Sequence, residues 1–210
     1  MVITSKSINL PRMTRYAILA VMKNKIAFVF IAFCLALTSY GASLEIIKIG
    51  HPTLRAKAEE INFADIQSPE FQKLIDDMIS TMSEAGGVGL AAPQVNKSLR
   101  LFVMKSSWPN VPLTIVINPK VEYLEEFGKK SSTEGCLSIP GKSLKINRFK
   151  KIHISYFDRK GEYISKELDG FVAIIAQHEY DHLNGILIVD LVEQMFSQIN
   201  FTGHANAPLM

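Results

Sequence analysis

Two histidines four positions apart, with an acid between them, are the residues most capable of chemistry in this chain: His178-Glu179-Tyr180-Asp181-His182. On a helix that spacing puts both imidazoles on one face. They can then share one metal ion, with Glu179 beside them as a base for an activated water. The plainer account is a pair of satisfied core histidines and a solvated glutamate. The flanking residues favour the metal, because Phe171, Ile174 and Ile175 continue the stripe of His178 and His182. The buried face of such a helix carries the imidazoles inward.

Catalytic metal sites usually take three protein ligands. Glu134-Gly135-Cys136-Leu137-Ser138 supplies the third candidate, since thiolate is a strong ligand for soft and borderline metals. A lone cysteine is more often a small buried hydrophobe; beside a histidine pair the ligand reading takes precedence. A bridge from Cys136 to Cys34 is not expected, since two cysteines make no disulfide framework. A third segment, Gly87-Val88-Gly89-Leu90-Ala91-Ala92-Pro93-Gln94, bares its backbone, as a closely approaching substrate chain requires. Gln94 adds an amide N–H pair suited to a developing oxyanion. The same segment also reads as a mere turn after a helix. It lacks the lysine of a phosphate-binding loop, so nucleotide binding is not expected.

These residues need elements to hold them. Ser68-Pro69-Glu70 starts a helix, with serine as N-cap and proline at the first helical position. Phe71, Leu74, Ile75, Met78 and Met82 follow at helical spacing, and Gly86-Gly87 ends it. Residues 99–104, 113–117 and 152–157 read as strands. The last alternates Ile152, Ile154 and Tyr156 inward against His153 and Ser155 outward. Asp158-Arg159-Lys160-Gly161 turns into a further strand at 162–168, and 171–184 is the second helix. The expected class is α+β: a single domain with one mixed or antiparallel sheet packed around the helix that carries the histidines.

Bulk composition bounds the function. The chain has 210 residues, 48% of them hydrophobic and 20% charged, which is a globular balance. Lys6, Arg12, Arg15, Lys23 and Lys25 lie in residues 1–43, which contain no acid, so the 23 basic residues leave 18 in the body against 20 acids. A mildly acidic body is not expected to bind nucleic acid. Residues 1–43 read as a leader. Lys23 and Lys25 precede the apolar stretch 26–37, and small residues up to Ser43 follow, which is the order of a secretory signal. Counted through to residue 44 the stretch reaches the roughly 20 residues of a membrane anchor. Met22 offers an alternative start, which would make 1–21 an artefact. The body is expected over 44–191 and a short tail over 192–210.

The segments 87–94, 134–138 and 177–182, in that order, resemble the three signature segments of peptide deformylases. The resemblance runs over 44–191, including Gly50-His51-Pro52-Thr53-Leu54-Arg55 near its start. It implies Cys136, His178 and His182 as metal ligands and Glu179 as general acid/base. It further implies Gln94 and the Leu137 backbone N–H as the oxyanion hole, and Gly89 as a backbone partner of the bound peptide. Val88, Phe171 and Ile174 are candidate linings for a methionine pocket. The implied ion is Fe2+, with zinc, nickel or cobalt as substitutes, and the implied substrate is a bacterial N-formyl-methionyl peptide, cleaved to formate. Ser132 and Ser143 depart from the pattern, the first where an apolar residue is expected and the second where a larger polar or basic one is common. The leader has no counterpart in typical members. It implies export or membrane contact if used, and a cytoplasmic enzyme otherwise. Two rival readings are a metalloendopeptidase of the H-E-x-x-H type and a non-enzymatic metal or peptide binder. Cys136 counts against the first; Glu179 and Gln94, which binding alone does not need, count against the second.

Overall fold

The structure is a computed structural model describing residues 42–107 and 110–192, all within one compact unit. Residues 1–41 of the leader and the tail beyond residue 192 lie outside the described residues. Among the described residues, no helix is long and apolar enough to cross a membrane.

Helix α1, Pro69–Glu84, forms where its capping signals place it. The Ser68 hydroxyl accepts from the Phe71 N–H at 3.2 Å. At the far end Gly86 takes φ +67, and the Gly87 N–H returns to the Met82 carbonyl at 2.9 Å. That left-handed stop is one glycine adopts without steric cost. Helix α2, Gly170–Leu183, carries the histidines and buries Ala173, Ile174, Ile175, Ala176, Gln177, Glu179, Asp181, His182 and Leu183. A helix covered on almost every side belongs in the middle of a protein.

The expected single sheet is in fact two. Strands β1 (Gly89–Ala91), β2 (Leu101–Ser106), β3 (Val111–Tyr123), β6 (Lys151–Phe157) and β7 (Tyr163–Asp169) form a five-stranded sheet in the order β1-β2-β3-β6-β7. Every pairing in it is antiparallel. Strands β4 (Lys129–Cys136) and β5 (Ile139–Phe149) form a separate antiparallel ribbon. The strand expected at 113–117 is longer than its apolar centre, because β3 continues through polar residues to pair with β6.

Strand β2 separates two cores. Phe102 and Met104 pack with Ile152, Ile154, Tyr156 and residues of α2. Leu101 and Val103, on the opposite face by strand alternation, pack with Ile75, Met78 and Met82 of α1. Each helix thus covers one face of the sheet. The ribbon closes a third cluster, in which Cys136, Ile139 and Ile146 meet Leu54, Leu187 and Ile188.

Candidate active site and metal centre

The end of β4 and the last turns of α2 bring the three candidate ligands together. The Cys136 Sγ lies 3.3 Å from the His182 Nε2, and one ligand atom from each of Cys136, His178 and His182 falls within 4.8 Å of the others. The His178 Nδ1 is 3.0 Å from the Glu134 Oε2. A carboxylate only accepts, so Nδ1 donates, and Nε2 is the nitrogen left for a metal. One thiolate and two imidazoles suit a borderline transition metal and leave a coordination position open for water or substrate.

Glu134 belongs to a buried ionic chain. The Arg148 Nε and Nη2 donate to its two oxygens, each at 2.9 Å, and the Arg148 Nη1 donates to the Asp181 Oδ2. Burial pushes the Glu134 carboxyl up, but hydrogen bonds from His178 and Arg148 override it and hold the group below its ordinary value. Asp181 goes the other way: burial raises it despite Arg148. Burial also sends His182 well down, with His178 adding to the effect. On His178 burial opposes the charge, yet hydrogen bonds to Cys136 and Glu134 win and push it up to about 10. A cation competes for that same lone pair.

Glu179 is buried between α2 and β1, and among the described residues its Oε2 has no hydrogen-bond partner. Desolvation lifts it to about 7, against the pull of His178. A carboxyl near neutrality suits proton transfer in both directions, and a nearby dication draws its value down. Gly89 makes room for it, because a Cβ there would stand 2.2 Å from the Glu179 Oε1.

Gln94 stands in the 3-10 turn Ala92–Val95. Its Oε1 accepts from the Ala91 N–H at 2.9 Å, which aims Nε2 the opposite way, 3.3 Å from the Ser138 Oγ and 3.7 Å from the Cys136 Sγ. The amide donor therefore already faces the ligand set. Leu137 follows Cys136 in the turn to β5, and its carbonyl accepts from the Lys48 Nζ at 3.0 Å.

A cleft of about 620 Å³ opens over these groups. Val88, Gly89, Phe171 and Ile174 all line it, as do Ser132, Gln94, Leu137 and Glu179. Ile46, Ile139 and Ile175 complete the apolar wall; of these only Ile175 was placed on a relevant stripe by sequence. Lys142, rather than its neighbour Ser143, lines the cleft. Strand β1 forms one rim as the edge of the five-stranded sheet. The Lys105 N–H donates to the Val88 carbonyl at 2.9 Å, so Val88 and Lys105 are a hydrogen-bonded pair. Gly89, opposite Met104, is then a non-hydrogen-bonded position, and its N–H and C=O turn away from β2 to the open side. Glu134, Ser138, Arg148 and Asp181 are site-forming polar residues to which the sequence reading gave no role; Glu134 and Asp181 were quoted only as members of their motifs. Ser138 stood in plain view in the 134–138 segment; Arg148 carried no local signal.

A cluster that could hold a borderline metal, a buried carboxyl raised by desolvation and an amide donor facing that cluster beside an apolar cleft are the arrangement of a metal-dependent hydrolase as a class. The relatives make this narrower. A family profile described as Polypeptide deformylase matches residues 43–197. "Peptide deformylase 2" of Nostoc sp. is 42% identical over 168 residues, covering 74% of this chain and 89% of that protein. The crystal structure of the peptide deformylase from Thermotoga maritima superposes with a TM-score of 0.64 at 40% identity, covering 71% of this chain and 97% of that one. A Met-Ala-Ser-bound class I type b peptide deformylase from Acinetobacter baumannii gives 0.69 at 33% identity, covering 72% and 99%. The chain belongs to the peptide deformylase family. It is a metal-dependent hydrolase that removes the N-formyl group from peptides.

Proposed function

We propose that Cys136, His178 and His182 hold one ferrous ion, and that Glu179, Gln94 and the Leu137 N–H carry out the hydrolysis of N-formyl-methionyl peptides to formate and a free amine. The observation that supports this best is the convergence of three ligand atoms within 4.8 Å beside a buried carboxylate lifted to about 7. An ion held by Cys136, His178 and His182 would supply Lewis acidity to the reaction. Glu179 takes a proton from a water as its oxygen adds to the formyl carbon, then delivers that proton to the nitrogen as the C–N bond breaks. The Gln94 Nε2 and the Leu137 N–H stabilise the oxyanion, each contributing about 3–4 kcal/mol to lowering the barrier. The outward N–H and C=O of Gly89 pair with the peptide main chain as an added strand. Val88, Phe171 and Ile174 receive the methionine side chain, with Ser132 as a polar interruption of that wall.

Formate release from formyl-Met-Ala-Ser by the iron-loaded full-length chain tests the assignment, with the acetylated and unblocked peptides as controls. Cleavage of an internal bond, or metal retention without turnover, would favour the endopeptidase or the plain binder. Zinc, nickel and cobalt are the substitutes to compare, and metal content of protein purified without added ions identifies the native one. Residues 44–191 are proposed as the catalytic body, with residues beyond 191 as a short tail. The leader order in residues 22–43 supports membrane targeting or export; fractionation with an antibody to the body would refute it by finding the full-length chain only in the soluble cytoplasm.

A further inference from the structure

We propose that Arg148 is a positioning residue for the metal site: acting through Glu134, it fixes the ring orientation and tautomer of His178. The inference rests on the reading of His178 as a ligand. Arg148 makes no contact that would place it among the ligands. Its Nε and Nη2 grip both oxygens of Glu134 at 2.9 Å, and that fork fixes the plane of the carboxylate. Glu134 Oε2, so held, accepts from the His178 Nδ1 at 3.0 Å. The proton is thereby kept on Nδ1, and Nε2 faces Cys136 and His182.

The same guanidinium reaches the second ligand-bearing element through Asp181, the residue before His182. One side chain on β5 thus ties the strand that ends in Cys136 to the helix that carries both histidines. A purely structural ion cluster would be a poor use of these residues. Arg148, Glu134 and Asp181 are all buried, and buried ion pairs often add nothing to stability over apolar residues of similar size. A lysine could satisfy one carboxylate but not fork one while reaching the other.

The test compares Arg148→Met, Glu134→Gln, Arg148→Lys and the Arg148→Met/Glu134→Gln double variant with wild type. Three quantities are read: the dissociation constant for Co2+ by chelator competition, the absorption bands of the cobalt form, and the Tm of the metal-free form. Arg148→Met should weaken cobalt binding by about 10–100-fold and shift the bands. The double variant should lose much less than the product of the two single losses, because both changes cut the path through Glu134. An Arg148→Met protein with lowered Tm but unchanged affinity and spectrum would overturn the proposal, as would losses that multiply in the double variant. If Arg148→Met does not fold, Arg148→Lys decides: a loss of at least about threefold with shifted bands supports positioning, and unchanged values overturn it. Wild type that binds no cobalt, or a Cys136→Ser variant that binds it as tightly, would overturn the metal site itself and this inference with it.

Discussion

Gly89→Ala separates catalysis from folding more cleanly than any ligand mutation. The new methyl would stand 2.2 Å from the Glu179 Oε1 and 2.9 Å from its Cγ. Ordinary contact begins near 3.4 Å, so the carboxylate must retreat by roughly 1.2 Å. The obstacle is the end of a flexible side chain, and Gly89 is not among the glycines with positive φ, so alanine suits the backbone. Stability should fall by less than about 1 kcal/mol. Catalysis should not escape so lightly, because misplacing a reacting group by about 1 Å costs on the order of 10²-fold, or roughly 2.7 kcal/mol. The assay is formate release from formyl-Met-Ala-Ser, with metal content and Tm measured on the same sample. The expected result is kcat/KM near one per cent of wild type, with metal content unchanged and Tm lowered by no more than about 4 °C. A variant that keeps more than about a tenth of wild-type kcat/KM, a barrier change under roughly 1.4 kcal/mol, would show that Glu179 does not depend on this gap. A collapse in Tm would place the clash on the fold instead.

Glu179→Ala should retain metal, measured by mass spectrometry, while activity drops below about one per cent, a barrier change of at least roughly 2.7 kcal/mol. Gln94→Leu should lower kcat by about 10²–10³-fold, the cost of one oxyanion donor, and steady-state kinetics with kcat and KM resolved would check it. The iron form should lose activity in air faster than the nickel form, because a thiolate on a redox-active ion is open to oxidation; parallel aeration time courses measure this. Gly185→Ala should destabilise the body by roughly 2–4 kcal/mol, since a Cβ there meets the Arg55 carbonyl oxygen at 2.5 Å on a residue with φ +72. Thermal unfolding should report a drop on the order of 5–15 °C.

The sequence disclosed most where a residue type had few other uses. Ser68-Pro69-Glu70 and the stripe behind it located α1 to within a residue, because caps and helical spacing act locally. The alternation of Ile152, Ile154 and Tyr156 marked β6, and all three are buried. His178, His182 and Cys136 could be singled out because thiol and imidazole are scarce in the chain and chemically particular. The ribbon β4–β5 stayed hidden. Lys129-Lys130-Ser131-Ser132-Thr133 has no apolar alternation, and its strand character comes from pairing with β5 rather than from burying a face. Strand β1 is three residues long and begins with glycine, too brief for any periodicity. Arg148 was silent for a related reason. Its partners Glu134 and Asp181 lie 14 and 33 positions away, and only the packing of ribbon against helix makes an arginine there anything but a surface charge.

The open edge of β1 carries a consequence for breadth of action. A strand that offers its amide and carbonyl to an incoming chain grips what every polypeptide shares and ignores what distinguishes one from another. On the proposed docking, selection would fall on the first residue, which would enter the apolar wall, and on the small blocking group. Docked as proposed, the residues downstream would be held by groups common to all sequences. On that proposal the cleft would be a generalist, because main-chain contacts do not discriminate one downstream sequence from another.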